Sequence, residues 1–208
     1  MEIKNYGDLN NLEIDTLREI GSIGTGNAAN SLSQLLGKEV RITLPEVCIM
    51  GYNEAIDWIG GPEAVTAGVL VQLKGEINGI VLSVQQLDFV KLVLEVITGK
   101  TIDDYTQLEE MDTSLLVEVG NIMLSTFINA LSDLAGISVR PTVPAFTVDM
   151  QGAILTVPMA AFGGQSDYIM TIGGNFIVDH RQVPCRLLLS PDIRSLNFLL
   201  GKLGVTDG

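Results

Sequence analysis

Apolar residues return every three or four positions along two long stretches of the chain. Over 12–36 the repeating face is Leu17, Ile20, Gly24, Ala28, Leu32 and Leu35, and over 111–135 it is Leu116, Val119, Met123, Phe127, Leu131 and Leu134. This period predicts two long amphipathic helices with those faces in the core. Strands are predicted at 67–73 and 77–84 around Lys74-Gly75-Glu76, then a helix over 85–98 that stops at Gly99. Later in the chain, 152–158, 168–178 and 182–189 read as strands, and 192–202 reads as a helix ending at Gly204. Its apolar positions, Ile193, Leu196, Leu199, Leu200 and Leu203, are a core face. Trp58 with Ile59-Gly60-Gly61-Pro62 reads as a loop anchor, flanked by the acidic residues Asp57 and Glu63.

The two long helices are copies of one another. Residues 12–47 align with 111–146 at an offset of 99 without a gap, with 13 identities in 36 positions. Amphipathic helices share apolar positions by period alone, but here Glu19/Glu118, Asn30/Asn129, Arg41/Arg140, Thr43/Thr142 and Pro45/Pro144 coincide as well. Duplication is the economical reading. Leu82-Ser83 and Leu189-Ser190 occupy matching strand-to-helix corners, so each half runs helix, strand, loop, strands, helix. The expected fold is α+β: one domain over 1–208 with pseudo-two-fold symmetry. Repeats of about 12–100 and 111–203 would share a mainly antiparallel sheet flanked by helices. The polar segment 100–110 connects them.

Composition narrows the partners. With 12 Lys+Arg against 25 Asp+Glu the formal charge is −13, which leaves no basic surplus for nucleic acid or an anionic membrane and favours a protein partner. Cys48 and Cys185 are isolated, so neither a disulfide framework nor a metal-binding pair is indicated, and a reducing cytoplasm fits. The first residues lack the apolar core of a signal peptide. The most apolar long stretch, 115–137, carries Glu118, Asn121, Asn129 and Asp133, which argues against a membrane span.

Opposite each apolar face lies a narrow polar stripe. In the second helix it is Ser114, Glu118, Asn121, Ser125, Asn129 and Ser132, and in the first Asp15, Glu19, Ser22, Gly26, Asn30 and Ser33. A plain solvated face is one reading. Such faces usually carry Lys, Arg and Glu, whereas Ser and Asn are poorer helix formers that compete for the backbone. Ser114-x3-Glu118-x2-Asn121, followed after 22 intervening residues by Pro144, resembles the signature of the CheC/CheX/FliY family of chemotaxis phosphatases. Asp15-x3-Glu19-x2-Ser22 with Pro45 repeats the spacing. Two motifs in a chain with no further segment expected after Gly204 fit the CheC-like members, rather than the one-motif CheX-like or the longer FliY-like members.

The resemblance implies hydrolysis of the aspartyl phosphate of the response regulator CheY. Asn121 would hold a water in line with phosphorus, Glu118 would pair with a receiver lysine, and Ser114 would join the same surface. The receiver supplies Mg²⁺ and that lysine, so no cofactor of the chain's own is expected. In the first site Glu19 and Asp15 match the pattern but Ser22 replaces the amide. A hydroxyl is shorter and lacks the paired donor and acceptor, so weaker hydrolysis, docking without turnover, or a structural role are all open. The resemblance further implies a CheD-like deamidase as partner. The alternative function is a non-enzymatic adaptor for receiver domains or that deamidase.

Other signals have plainer readings. Gly21-x-x-Gly24-x-Gly26 fits neither nucleotide-binding glycine pattern, and close helix packing or a bend explains it better. Gly21 and Gly120 could let a partner's backbone approach. Pro45 and Pro144 fit strand starts, and His180, the only histidine, fits a surface turn without metal-ligand partners.

Overall fold

The computed structural model describes residues 6–43, 46–162 and 168–205. The first half comprises α1 (Asn11–Leu36), β1 (Val40–Ile42), β2 (Glu46–Gly51), α2 (Tyr52–Ile59), β3 (Val65–Gly75), β4 (Gly79–Gln85) and α3 (Leu87–Thr98). The second repeats the order: α4 (Glu110–Ala135), β5 (Val139–Pro141), β6 (Ala145–Met150), α5 (Gln151–Phe162), β7 (Tyr168–Val178), β8 (Arg181–Pro191) and α6 (Ile193–Lys202).

All eight strands form one antiparallel sheet, ordered β1-β7-β8-β4-β3-β5, with β2 also on β7 and β6 also on β3. The halves exchange strands. Glu46 of β2 faces Gly173 of β7, and its repeat partner Ala145 of β6 faces Leu70 of β3. Likewise Val40 faces Val178 while Val139 faces Gly75. At the centre, β4 and β8 pair with each other, Val81 opposite Leu189 and Leu82 opposite Leu188. Those two pairs interchange when Leu82 is equated with Leu189, so the corner inferred from sequence lies beside the pseudo-two-fold axis.

Because successive side chains on a strand point to opposite faces, the sheet buries two cores. On one face Val69, Val71, Val81, Ile172, Leu187 and Leu189 meet α1, α3, α4 and α6. On the other, Leu82, Val84, Ile169 and Leu188 meet α2 and α5. Phe89 of α3 packs edge-on to Phe176 of β7, ring centroids 5.1 Å apart. The β7–β8 hairpin turns through Asp179 and His180, both at positive φ, as a tight two-residue hairpin turn requires. His180 is exposed there.

Several expectations are corrected. Residues 152–158 lie within helix α5, not in a strand. Ile154 and Leu155 are buried in the second core, so tertiary packing overrides a β-branched, proline-containing segment. Trp58 and Ile59 end helix α2 and are not a loop; Gly60 and Gly61, both at positive φ, terminate it. Trp58 lies over the β7 backbone and under Arg186, whose guanidinium is 4.4 Å from the ring centroid. Leu35 and Leu134 are exposed, and Leu36 and Ala135 close the buried faces instead. Pro144 immediately precedes β6 as expected, whereas Pro45 lies outside the described residues.

Helix α4 has the length and mean hydropathy of a membrane-crossing segment. Its apolar face, from Leu116 to Leu131, is buried in the first core.

A candidate docking face on the paired motif helices

Each motif helix is fixed just upstream of its first motif residue. At the start of α1, Asn10 and Glu13 cap one another: the Asn10 N–H donates to Glu13 Oε2 at 2.7 Å and the Glu13 N–H to Asn10 Oδ1 at 3.1 Å. In α4 the Glu109 N–H donates to Asp112 Oδ2 at 2.9 Å. Asp112 is almost wholly buried and also receives Lys100 Nζ at 2.5 Å, while Lys100 donates to the Gln107 carbonyl at 3.2 Å. Desolvation would raise the Asp112 pKa, but the Lys100 and Glu109 hydrogen bonds outweigh it and hold the carboxyl below its usual range. The connector is thereby tied to the first turn of α4.

From those anchors the helical period carries the motif residues outward. Asp15, Glu19, Ser114 and Glu118 are exposed, and Ser22 and Asn121 are half-buried. Glu118 and Asn121 stand three positions apart, which sets their Cβ atoms about 5–6 Å from each other. Among the described residues neither side chain has a hydrogen-bond or ion-pair partner within the chain, so amide and carboxylate face outward with their polar groups unspent. Ser114 Oγ donates to the Glu110 carbonyl at 2.9 Å.

The first site differs in more than Ser22. Ser22 Oγ donates to the Arg18 carbonyl at 3.0 Å, and Arg18 Nη1 pairs with Asp15 Oδ1 at 2.5 Å. The second helix has Val117 at the corresponding position. Arg18 went unnoticed in the sequence although its i,i+3 spacing from Asp15 was a readable charge pair. Further along the stripe, Ser33 accepts the Val40 N–H at 2.9 Å and donates to the Ala29 carbonyl at 2.7 Å, which fastens β1 to α1. Its role is structural.

The glycines pack the helices closely. A Cβ on Gly24 would lie 3.0 Å from the Phe127 Cα, so α1 rests on the α4 backbone there. A Cβ on Gly120 would lie 2.6 Å from Val69 Cγ2, so this glycine seats α4 on the sheet and does not face a partner. Gly21 is buried too. Cys185 is buried, which pushes its thiol up to about 12 and leaves it far from a nucleophile's range. Among the described residues no three of His, Cys, Asp and Glu gather where they could hold a metal.

The profile of the CheC-like family matches residues 12–49 and 111–148, the two segments that carry the motifs. The CheY-P phosphatase CheC of Bacillus subtilis is 26% identical over 198 residues, 93% of this chain and 95% of that protein. The chain is similar to the CheC-like family in both motif segments. Within reach of this family lies the flagellar motor switch phosphatase FliY of Bacillus subtilis, 30% identical over 63% of this chain and 34% of FliY. Among solved structures, Thermotoga maritima FliY shares the fold with a TM-score of 0.73 at 19% identity, over 95% of this chain and 98% of that one. A Borrelia burgdorferi CheX–CheY–BeF3–Mg²⁺ complex gives a TM-score of 0.50 at 19% identity, over 81% of this chain and 96% of the matched chain. The CheC-like profile thus falls on the pair of helices that a sheet of exchanged strands holds side by side.

Proposed function

We propose that this CheC-like chain hydrolyses the aspartyl phosphate of a CheY-like response regulator, with Asn121 and Glu118 as the principal site. What carries the reading is the unspent Asn121 amide beside the exposed Glu118 carboxylate on a helix fixed at its start, in a family with members named CheY-P phosphatases. An acyl phosphate already has a good leaving group, and the receiver brings Mg²⁺ and a lysine to its phosphoryl oxygens. The remaining task is orientation. The Asn121 amide can accept from and donate to one water, placing its oxygen in line with phosphorus. As the new P–O bond forms, the bond to the receiver's aspartate breaks, the carboxylate leaves with the bonding pair, and the water's proton passes to solvent. Glu118 pairs with the receiver lysine and sets the register. Positioning of this kind supplies much of a barrier without a general base.

The first site favours a second reading of itself. Ser22 lacks the amide and Asp15 is held by Arg18, so this surface docks a receiver and turns it over weakly. A chain that only docks, to a receiver or to a CheD-like deamidase, is the competing function, in the same cytoplasmic setting. Phosphorylated receiver mixed with Mg²⁺ and catalytic amounts of the chain separates the two. Multiple turnovers are expected, with a loss of about 100-fold in Asn121→Ala. Association without turnover, or full activity in Asn121→Ala, would reject the proposal.

A further inference from the structure

Beneath Glu118 and Asn121 the helix is gripped by a side chain that belongs to no motif. Gln85, the last residue of β4, is fully buried. Its Nε2 donates to the Leu116 carbonyl of α4 at 2.9 Å. Its Oε1 is buried without a hydrogen-bond partner, an arrangement that costs stability. The backbone of Gln85 is held as well: its carbonyl accepts the Tyr105 hydroxyl at 2.9 Å.

The helix is shaped to receive this amide. A Cβ on Gly120 would lie 2.9 Å from Gln85 Nε2, so a larger residue there would displace the amide from that turn. In an α-helix the Leu116 carbonyl is also the acceptor for the Gly120 N–H. Gln85 therefore bonds the very turn that spans 116–120. At about 100° per residue, Glu118 sits on the far side of the helix from Leu116 and Gly120, and Asn121 follows Gly120 directly. The depth and rotation of that turn decide where Asn121 and Glu118 point.

Among the described residues the chain gives this grip in one half. Between Ser83 and the N-cap Gln86 of α3 stand Val84 and Gln85. Between Ser190 and the N-cap Asp192 of α6 stands only Pro191, whose side chain has no donor. Among the described residues the motif with the amide has a side-chain amide bonded beneath it, and the motif with Ser22 has none bonded there.

We infer that Gln85 is a positioning residue for the Asn121–Glu118 site, fixing the rotation of α4 through the Leu116 carbonyl and the Gly120 backbone. This rests on the phosphatase reading above. Gln85→Met keeps the length of the side chain and removes the donor. With phosphorylated CheY-like receiver and Mg²⁺ it should lower kcat by about tenfold, within the ~100-fold that a displacement of about 1 Å can cost. KM should rise by less than kcat falls, since the same turn re-aims Glu118 but no docking side chain is removed, and the Asn121 side-chain amide resonances should shift. A merely structural role would lower the Tm and leave kcat per folded molecule alone. A kcat within about twofold of wild type, or a loss confined to KM, overturns the inference. Should Gln85→Met fail to fold, Gln85→Asn, one methylene shorter, withdraws the same amide and is judged by the same outcomes. Asn121→Ala runs alongside. If it retains full activity, both readings fall; if it is inactive while Gln85→Met keeps its kcat, only the positioning role falls.

Discussion

Gly24 and Gly26 lie within about one helical turn of Ser22, and adding the same methyl group to each should have opposite effects. Gly→Ala inside a helix gains about 1 kcal/mol from propensity alone. At Gly26 the added Cβ meets nothing within 4 Å, so Gly26→Ala should be more stable by about that 1 kcal/mol. At Gly24 it would lie 3.0 Å from the Phe127 Cα and 3.1 Å from Phe127 Cδ2, against about 3.5–4.0 Å for a comfortable carbon contact. Because the nearest atom belongs to the backbone of α4, no rotamer change relieves it and the two helices must separate. Phe127 and Leu32 are buried in the same core, so that separation is resisted along the interface. Overpacking of this kind costs about 1–3 kcal/mol. The propensity gain is common to both variants, so the difference between them isolates the contact: Gly26→Ala should exceed Gly24→Ala by about 1–3 kcal/mol. Urea melts at fixed pH, with unchanged m-values to confirm a comparable transition, read this directly. A difference below about 0.5 kcal/mol, or a reversed order, would refute close packing of α1 on α4 at this point.

Other expectations follow from the same physical terms. Lys100→Met should lower stability, because it strips a charged hydrogen bond from nearly buried Asp112. Asp112 has a depressed pKa in the folded state, so the stability it gains from Lys100 is complete above its unfolded pKa of about 3.9 and is lost as pH falls through the folded value. Melts of wild type and Lys100→Met should therefore differ at neutral pH and converge in acid, and a constant gap would reject the pairing. In an Asn121→Ala background, Ser22→Asn should raise receiver dephosphorylation; an unchanged rate would show that the first site lacks more than an amide, with Arg18 the next residue to alter. A thiol reagent at pH 8 should modify Cys185 only after denaturant is added, since burial holds that thiol up to about 12. Modification of Cys185 in the native protein would show that the first core opens.

The long helices were legible because their period is unambiguous over seven turns and each ends at a left-handed glycine, Gly37 or Gly136. The misplacement of the last buried leucine reflects the same period: Leu35 and Leu36 both continue the face from Leu32, and three-dimensional packing chooses between them. Helix α5 was hidden because Ile154, Thr156 and Val157 suit a strand, Pro158 argues against a helix interior, and a short apolar run has no period to contradict them. The offset of 99 held the missing signal, since it sets Gln151 opposite Tyr52, where α2 begins. The site divides along similar lines. Asp15, Glu19, Ser22, Ser114, Glu118 and Asn121 lie on one helix face each and could be read from spacing. Gln85 could not, because the register of a strand end beneath a helix turn is a long-range property that no local spacing records.

Strand exchange has a consequence for how such a protein can change. A fragment ending at 100 would present the β3 edge that β6 covers and would carry β1 and β2 with no β7 to receive them. An exposed edge of that kind invites aggregation. Neither half can therefore be shed or kept alone, even if one site falls idle. The two motif helices share one foundation and are inherited together, so an idle site costs little to keep and is free to drift toward another task. Ser22 and Arg18 stand where Asn121 and Val117 stand in the other copy, on a helix the molecule must retain for its partner's sake.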